Sequence, residues 1–310
     1  MSRKFLTCLT ILFCVSGFAQ DLLFRNSRDP LFTNTQQALI YLNPSFAGSN
    51  GLLRSQSLYR FPTNNQAFSS ATLYNGVDVY VKPLKGGLAV THVFDNYGEG
   101  KLKTNTIALS YARHFSFLDN KLKIMPSLQV AYLQKDLDKT KLTFDDYYWW
   151  GEGISSNKRN IDFSSGLLIN YKNFYFGTSV FHMSQPNEGL LGDSRLHARF
   201  SFHSSYNHQL NKWASSNIFA QYQIQSKYNF GQVKINFLFV DHFIFGMSYF
   251  SNNAASINLG YKNNYFTLGL GYDQRLTNLQ QQLNSALEAQ FSLNIRDKEH
   301  RKSPTSFEAW

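Results

Sequence analysis

Three things are scarce in this 310-residue chain. Only two cysteines occur, Cys8 and Cys14, and both lie among the first twenty residues. Charged residues make up 16% of the sequence, against roughly a quarter in an average soluble domain. No apolar run reaches the ~20 residues that a membrane-spanning helix needs. The last absence excludes a helical membrane protein, and the shortage of charge argues against an ordinary soluble surface. What fills the gap is aromatic and neutral-polar: 28 Phe, 18 Tyr and 4 Trp, with many Asn, Gln and Ser. That aromatic content excludes intrinsic disorder, which goes with few rings.

The N-terminus accounts for the cysteines. Arg3 and Lys4, an apolar stretch over 5–15 and the small-residue exit Ser16-Gly17-Phe18-Ala19 read as a signal peptide, residues 1–19, cleaved after Ala19. Phe13 ahead of Cys14 disfavours a lipoprotein. The chain without this leader has no thiol, so neither a disulfide framework nor a thiolate metal site is expected. It keeps 28 basic against 20 acidic residues, a charge of +8. No Lys/Arg run is interleaved with aromatics, so nucleic acid is not an expected partner. The surplus suits the anionic headgroups of outer-membrane lipid and lipopolysaccharide, or an acidic polypeptide.

From residue 52 onward the pattern has period two, as in strands whose faces meet different media. Phe266, Leu268, Leu270 and Tyr272 alternate with Thr267, Gly269, Gly271 and Asp273. Leu287, Ala289, Phe291, Leu293 and Ile295 alternate with Glu288, Gln290, Ser292, Asn294 and Arg296. Fourteen such runs occur: 52–60, 68–81, 85–95, 101–115, 122–137, 161–172, 174–183, 196–209, 214–226, 228–240, 242–251, 255–262, 265–274 and 285–295. Most are near the ~10 residues that cross a membrane as a tilted strand, and the number is even. Connections after even-numbered runs are short, whereas the three longest, at 138–160, 184–195 and 275–284, all follow odd-numbered ones. A soluble sandwich has no reason to sort its loops in this way. The expectation is an all-β protein, one outer-membrane transmembrane β-barrel of about 14 antiparallel strands over 52–296. Tyr111, Phe115, Tyr132, Tyr171, Phe174, Tyr249, Tyr261 and Tyr272 fit aromatic girdles at the two interfaces. Residues 20–51 form an N-terminal segment, a plug or short helix within the lumen or beneath it. Residues 297–310 form a charged tail.

A search for chemistry finds little. His197 and His203 share one strand face and His208 has the other parity, which does not converge on a metal. Asp145, Asp146 and Glu152 lie beside Tyr147, Tyr148, Trp149 and Trp150 in the longest loop, with too few ordered oxygens for calcium. That loop suits contact with a partner, or closure over the barrel mouth. His92 and His114 have lipid-facing parity with Ser116 nearby, which would allow an interfacial Ser–His pair, but no orienting third group is evident. No catalytic residue, cofactor site or metal site is assigned.

Asp29-Pro30-Leu31-Phe32, then Tyr41-Leu42-Asn43-Pro44-Ser45-Phe46-Ala47-Gly48-Ser49, resemble the opening of the PorP/SprF family. Three later stretches agree with it. Tyr59-Arg60 is similar to the start of its Tyr-Arg-x-Gln-Trp element, although Phe61-Pro62 stand where Gln-Trp is expected. Gly86-Gly87-Leu88-Ala89 with Asp95 and Gly98 is similar to its third strand, with Ala89 replacing a glycine. Asp162, Gly166 and Tyr171, then Gly177-Thr178-Ser179 with His182 and Gln185-Pro186, resemble its middle hairpin. The resemblance implies a non-enzymatic barrel of the cell outer membrane. Such a barrel would work with type IX translocon components in the secretion or surface anchoring of a cargo protein, such as a gliding or adhesion protein. Asp29, Pro30, Phe32, Asn43, Pro44, Ala47, Gly48, Tyr59, Arg60, His182, Gln185 and Pro186 become the candidate motif and partner-contact residues. A porin or hydrophobic-substrate channel shares the fold and stays open as an alternative.

Overall fold

The computed structural model describes residues 29–51, 53–63, 70–98, 101–141, 155–190, 192–276 and 285–295. The expected signal peptide, residues 1–19, the 297–310 tail and Asp145, Asp146, Tyr147, Tyr148, Trp149 and Trp150 lie outside the described residues. The strands are β1 (Leu53–Pro62), β2 (Ser70–Val81), β3 (Gly86–Tyr97), β4 (Leu102–Arg113), β5 (Phe115–Phe117), β6 (Leu122–Leu137), β7 (Asn157–Tyr171) and β8 (Phe174–Phe181). They continue as β9 (Arg199–Gln209), β10 (Ala214–Gln225), β11 (Tyr228–Phe239), β12 (Phe243–Phe250), β13 (Ala254–Lys262), β14 (Phe266–Arg275) and β15 (Ala286–Ile295). β4 and β5 are two pieces of one line either side of His114, and both pair with β6. Fifteen pieces therefore make a fourteen-strand antiparallel barrel, closed by β1 on β15 and by β4 on β6. Closure matters physically, because in lipid every backbone N–H and C=O must find an internal partner.

Alternation sorts the side chains. Leu128, Ile161 and Leu270 point outward, each more than 60% exposed, whereas Gln232, Asn236, Asn258 and Glu288 point inward and are buried. The connections sort by end as well. One end carries 82–85, 118–121, 172–173, 210–213, 240–242 and 263–265; the other carries 138–156, 182–198 and 276–285. Short turns mark the periplasmic end and long loops the outer end.

Three expectations are corrected. β9 starts at Arg199, three residues into the run at 196–209, because Leu196 N–H donates to Pro186 O and Glu188 N–H to Ser194 O, which curls that segment into the outer loop. His197 is therefore off the strand and exposed, parted from the buried His203. His114 faces the lumen, not lipid: at the break between β4 and β5 its Nε2 donates to Ala47 O at 2.9 Å. His92 does face outward, but its register partner Ile107 lies nine residues from Ser116 along the strand line, ~30 Å away. No Ser–His pair forms.

The lumen is filled by the chain's own N-terminal segment. Two 3-10 turns, Thr35–Gln37 and Pro44–Phe46, flank one helical turn, Leu39–Leu42. Leu39, Leu42 and Phe46 form an apolar cluster with Met125, Leu168, Tyr175 and Phe219, wall residues that point inward. Each fully buried side chain of this size contributes about 1.5–3 kcal/mol of seating.

Candidate functional site

The site is the plug and the wall that grips it. Its middle turn is built locally: Asn43 Oδ1 accepts from Ser45 N–H at 2.9 Å, and Pro44 sits at the first helical position, where a missing N–H costs nothing. Asn43 Nδ2 then donates to Leu167 O and Thr178 O at 3.2 and 3.1 Å, and Ser45 Oγ meets Ser127 Oγ at 2.8 Å. One asparagine both shapes the turn and fastens it to β7 and β8.

At the inner end the contact is backbone on backbone. Gly48 has φ +67°, and a Cβ on Gly87 would land on the Ala47 carbonyl. Gly48 N–H donates to Asp78 Oδ2 at 2.7 Å; Asp78 in turn pairs with Arg54 Nε at 2.7 Å, and Arg54 also donates to Phe46 O.

In the outer half, wall charges bind plug backbone. Glu288 accepts from Thr33 N–H and Asn34 N–H, each at 2.7 Å. Arg60 pairs with Asp273 at 2.5 Å and Glu288 at 3.6 Å, and also donates to Thr33 Oγ1. Lys234 Nζ donates to Asn34 Oδ1 at 2.5 Å.

At the outer end the grip is ionic. Asp29 meets His182 Nε2 at 2.9 Å and Arg199 at 3.0 Å, and His182 Nδ1 meets Asp162 at 2.6 Å. Ser184 Oγ donates to the other Asp162 oxygen. Arg199 lies between the rings of Tyr41 and Phe181, 4.6 and 4.2 Å from their centroids, and donates to Tyr41 O. Burial would lower the pKa of His182, but Asp29 and Asp162 overcome it and raise it to about 9. The imidazole is therefore charged at neutral pH, and both its nitrogens donate to carboxylates. Burial pushes the Asp29 carboxyl up, yet His182 and Arg199 win and hold it well below the usual range.

Beside the plug, towards the outer end, lies a cavity of about 320 Å³. Asp29, Pro30 and Tyr41 of the plug line it, with Thr91, Thr106, Gln129 and Ser164 on the wall and the Lys135–Glu188 ion pair, 3.3 Å apart, also on its lining. Among the described residues no group of three His, Cys, Asp or Glu side chains could hold a metal ion.

Most motif residues thus converge on one structure. Asp29, Pro30, Phe32, Asn43, Pro44, Ala47 and Gly48 belong to the plug itself, while Arg60 and His182 grip it from the wall. Tyr59 does not join them: it is outward, 44% exposed, and stacks on Phe61. Gln185 is exposed in the outer turn, and Pro186 is buried with its carbonyl bonded to Leu196 N–H. Arg54, Asp78, Arg199, Asp273 and Glu288 were not singled out from the sequence. Their signal was there, since charge at inward parity needs a buried partner.

The family described as type IX secretion system membrane protein PorP/SprF matches residues 24–293. None of the curated proteins matches the chain. Among solved structures, the Acinetobacter baumannii outer membrane protein Omp33 is 10% identical with a TM-score of 0.48, covering 79% of this chain and 98% of its own. A mutant of the monoaromatic hydrocarbon channel TodX is also 10% identical at a TM-score of 0.48, covering 85% and 95%. The KdgM porin is 8% identical at 0.36, covering 78% and 99%.

Proposed function

The chain belongs to the PorP/SprF family of type IX secretion membrane proteins, and we propose that it is a plugged, non-enzymatic outer-membrane barrel that helps secrete or retain a cargo protein at the surface, such as a gliding or adhesion protein. The observation that carries this reading is the filled lumen. A barrel whose interior is packed by its own buried segment, with Phe46 and Phe219 fully enclosed, is poorly suited to passive diffusion. Its work is then done by surfaces that meet translocon components and cargo. Gln185 is the motif residue best placed to be reached, and the basic surplus suits lipopolysaccharide around the wall. Purification of the tagged barrel from detergent-solubilised outer membrane should recover a secreted surface protein or a translocon component. Recovery of the barrel alone, together with normal adhesin display in a deletion strain, would overturn the reading.

The cavity beside the plug favours one alternative, a porin or hydrophobic-substrate channel. Planar-bilayer recording separates the two: a plugged escort is silent, whereas a channel conducts.

A further inference from the structure

The plug has a direction. At Asp29 the chain stands at the outer end: its N–H donates to Gln225, the last residue of β10, and its carboxylate meets Arg199, the first of β9. At Gly51 it stands at the periplasmic end, where Gly51 O accepts from Tyr80 N–H beside the β2–β3 turn, and β1 begins two residues later. Residues 29–51 therefore run the length of the lumen from outside to inside. Reaching the periplasm from Asp29 by the other direction would require a second passage beside the plug. Among the described residues the inner half offers none: Leu42, Phe46, Leu168 and Phe219 are fully buried in one cluster, and a Cβ on Gly87 would land on Ala47. The cavity belongs to the outer half.

From this we infer that the chain is threaded through its own barrel, so that the N-terminal end of the plug at Asp29 opens to the cell exterior. An external partner would meet both that end and the Asp29–His182–Arg199 cluster that fastens it. The inference holds whatever the barrel handles.

The chain lends itself to a direct test, because Cys8 and Cys14 lie in the leader and the rest has no thiol. Single cysteines are placed by Asn26→Cys, by Asp193→Cys in the outer loop and by Lys212→Cys in an inner turn; both reference positions are exposed. Intact cells are treated with a large membrane-impermeant maleimide that shifts the labelled band on a gel. The Asn26→Cys protein should shift with Asp193→Cys, and Lys212→Cys should shift only after permeabilisation. An Asn26→Cys protein that behaves like Lys212→Cys, or that never reacts, overturns the inference. Mass spectrometry of the purified barrel should find residue 26 present, and its loss during maturation would overturn the inference equally.

Discussion

At its inner end the plug is held by shape: Ala47 and Gly48 touch Gly87 backbone to backbone, and Phe46 is enclosed by Met125, Leu168, Tyr175 and Phe219. At its outer end it is held by charge, with Asp29 between His182 and Arg199. Apolar packing has no titration, and the Arg54–Asp78 pair that grips Gly48 and Phe46 beside it is only 3% exposed, out of reach of a competing charged group. An ionic cluster answers to pH and to any competing charged group. The difference predicts a plug whose inner end is permanent and whose outer end can be released, an arrangement suited to a barrel addressed from outside.

The largest effect is expected from Phe46→Ala. Removing a fully buried ring costs about 3–5 kcal/mol, the lost transfer plus the cavity left behind. The barrel wall should still assemble, seen as a heat-modifiable band, while planar bilayers should show conductance absent from the parent. A silent Phe46→Ala beside a conducting outer-end variant would invert the comparison.

Gly87→Val should come next. Its branched Cβ would meet the Ala47 carbonyl and Gly48 N, so the plug must lift from the wall, an overpacking cost of about 1–3 kcal/mol. Less of the protein should reach the folded, heat-modifiable form, and Gly87→Ala should fall between the two.

His182→Gln tests the outer end. Glutamine keeps a donor but loses the charge, and the lost charge-assisted hydrogen bonds are worth about 1.5–3 kcal/mol. The same release should follow from pH. The His182 pKa is raised in the fold, so its contribution is complete below the ordinary 6.5 and disappears as pH rises through about 9. Asp29 is lowered, so its contribution is present above the ordinary 3.8 and fails only in acid. A spin label on Leu31→Cys should therefore become more mobile above about pH 9 and stay immobile between 4 and 6.5, while the inner seal keeps the barrel silent throughout. In His182→Gln the label should be mobile and flat across that alkaline range, and a parent with no alkaline rise in mobility would remove His182 from the latch.

How much of this was legible divides along the same line between wall and plug. A wall with lipid outside and a polar lumen inside imposes period two on every strand, which is why β6 occupies the 122–137 that alternation indicated. The wall was legible because each residue answers to one of two media. The plug is surrounded on all sides and built of three short turns, so it has no period to read, and its place inside or beneath the barrel stayed open. A usable signal lay in the wall: Met125, Leu168, Tyr175 and Phe219 are apolar at inward parity, which a water-filled lumen would not favour. His114 escaped although alternation alone turns it inward, in step with the buried Ala108, Ser110 and Ala112 of β4. The ionic latch escaped because Asp29, Asp162, His182 and Arg199 are distant in sequence, and only closure of the sheet brings them together.

The smallest effect is expected on the outward face, which also tests the enzymatic alternative. His92 is partly buried on the lipid side and meets Asn105 Oδ1 at 3.3 Å, a marginal hydrogen bond between neighbouring strands. Ser116 lies ~30 Å along the wall and His114 turns to the plug, so neither pairs with it. His92→Ala should leave assembly and conductance unchanged to within about 0.5 kcal/mol, the range of a surface substitution. It should also leave any hydrolysis of short-chain esters by the purified barrel at the level of the parent. A fall in hydrolysis with assembly intact would place chemistry on the outer wall, the one surface where neither the plug nor its latch could supply a second group.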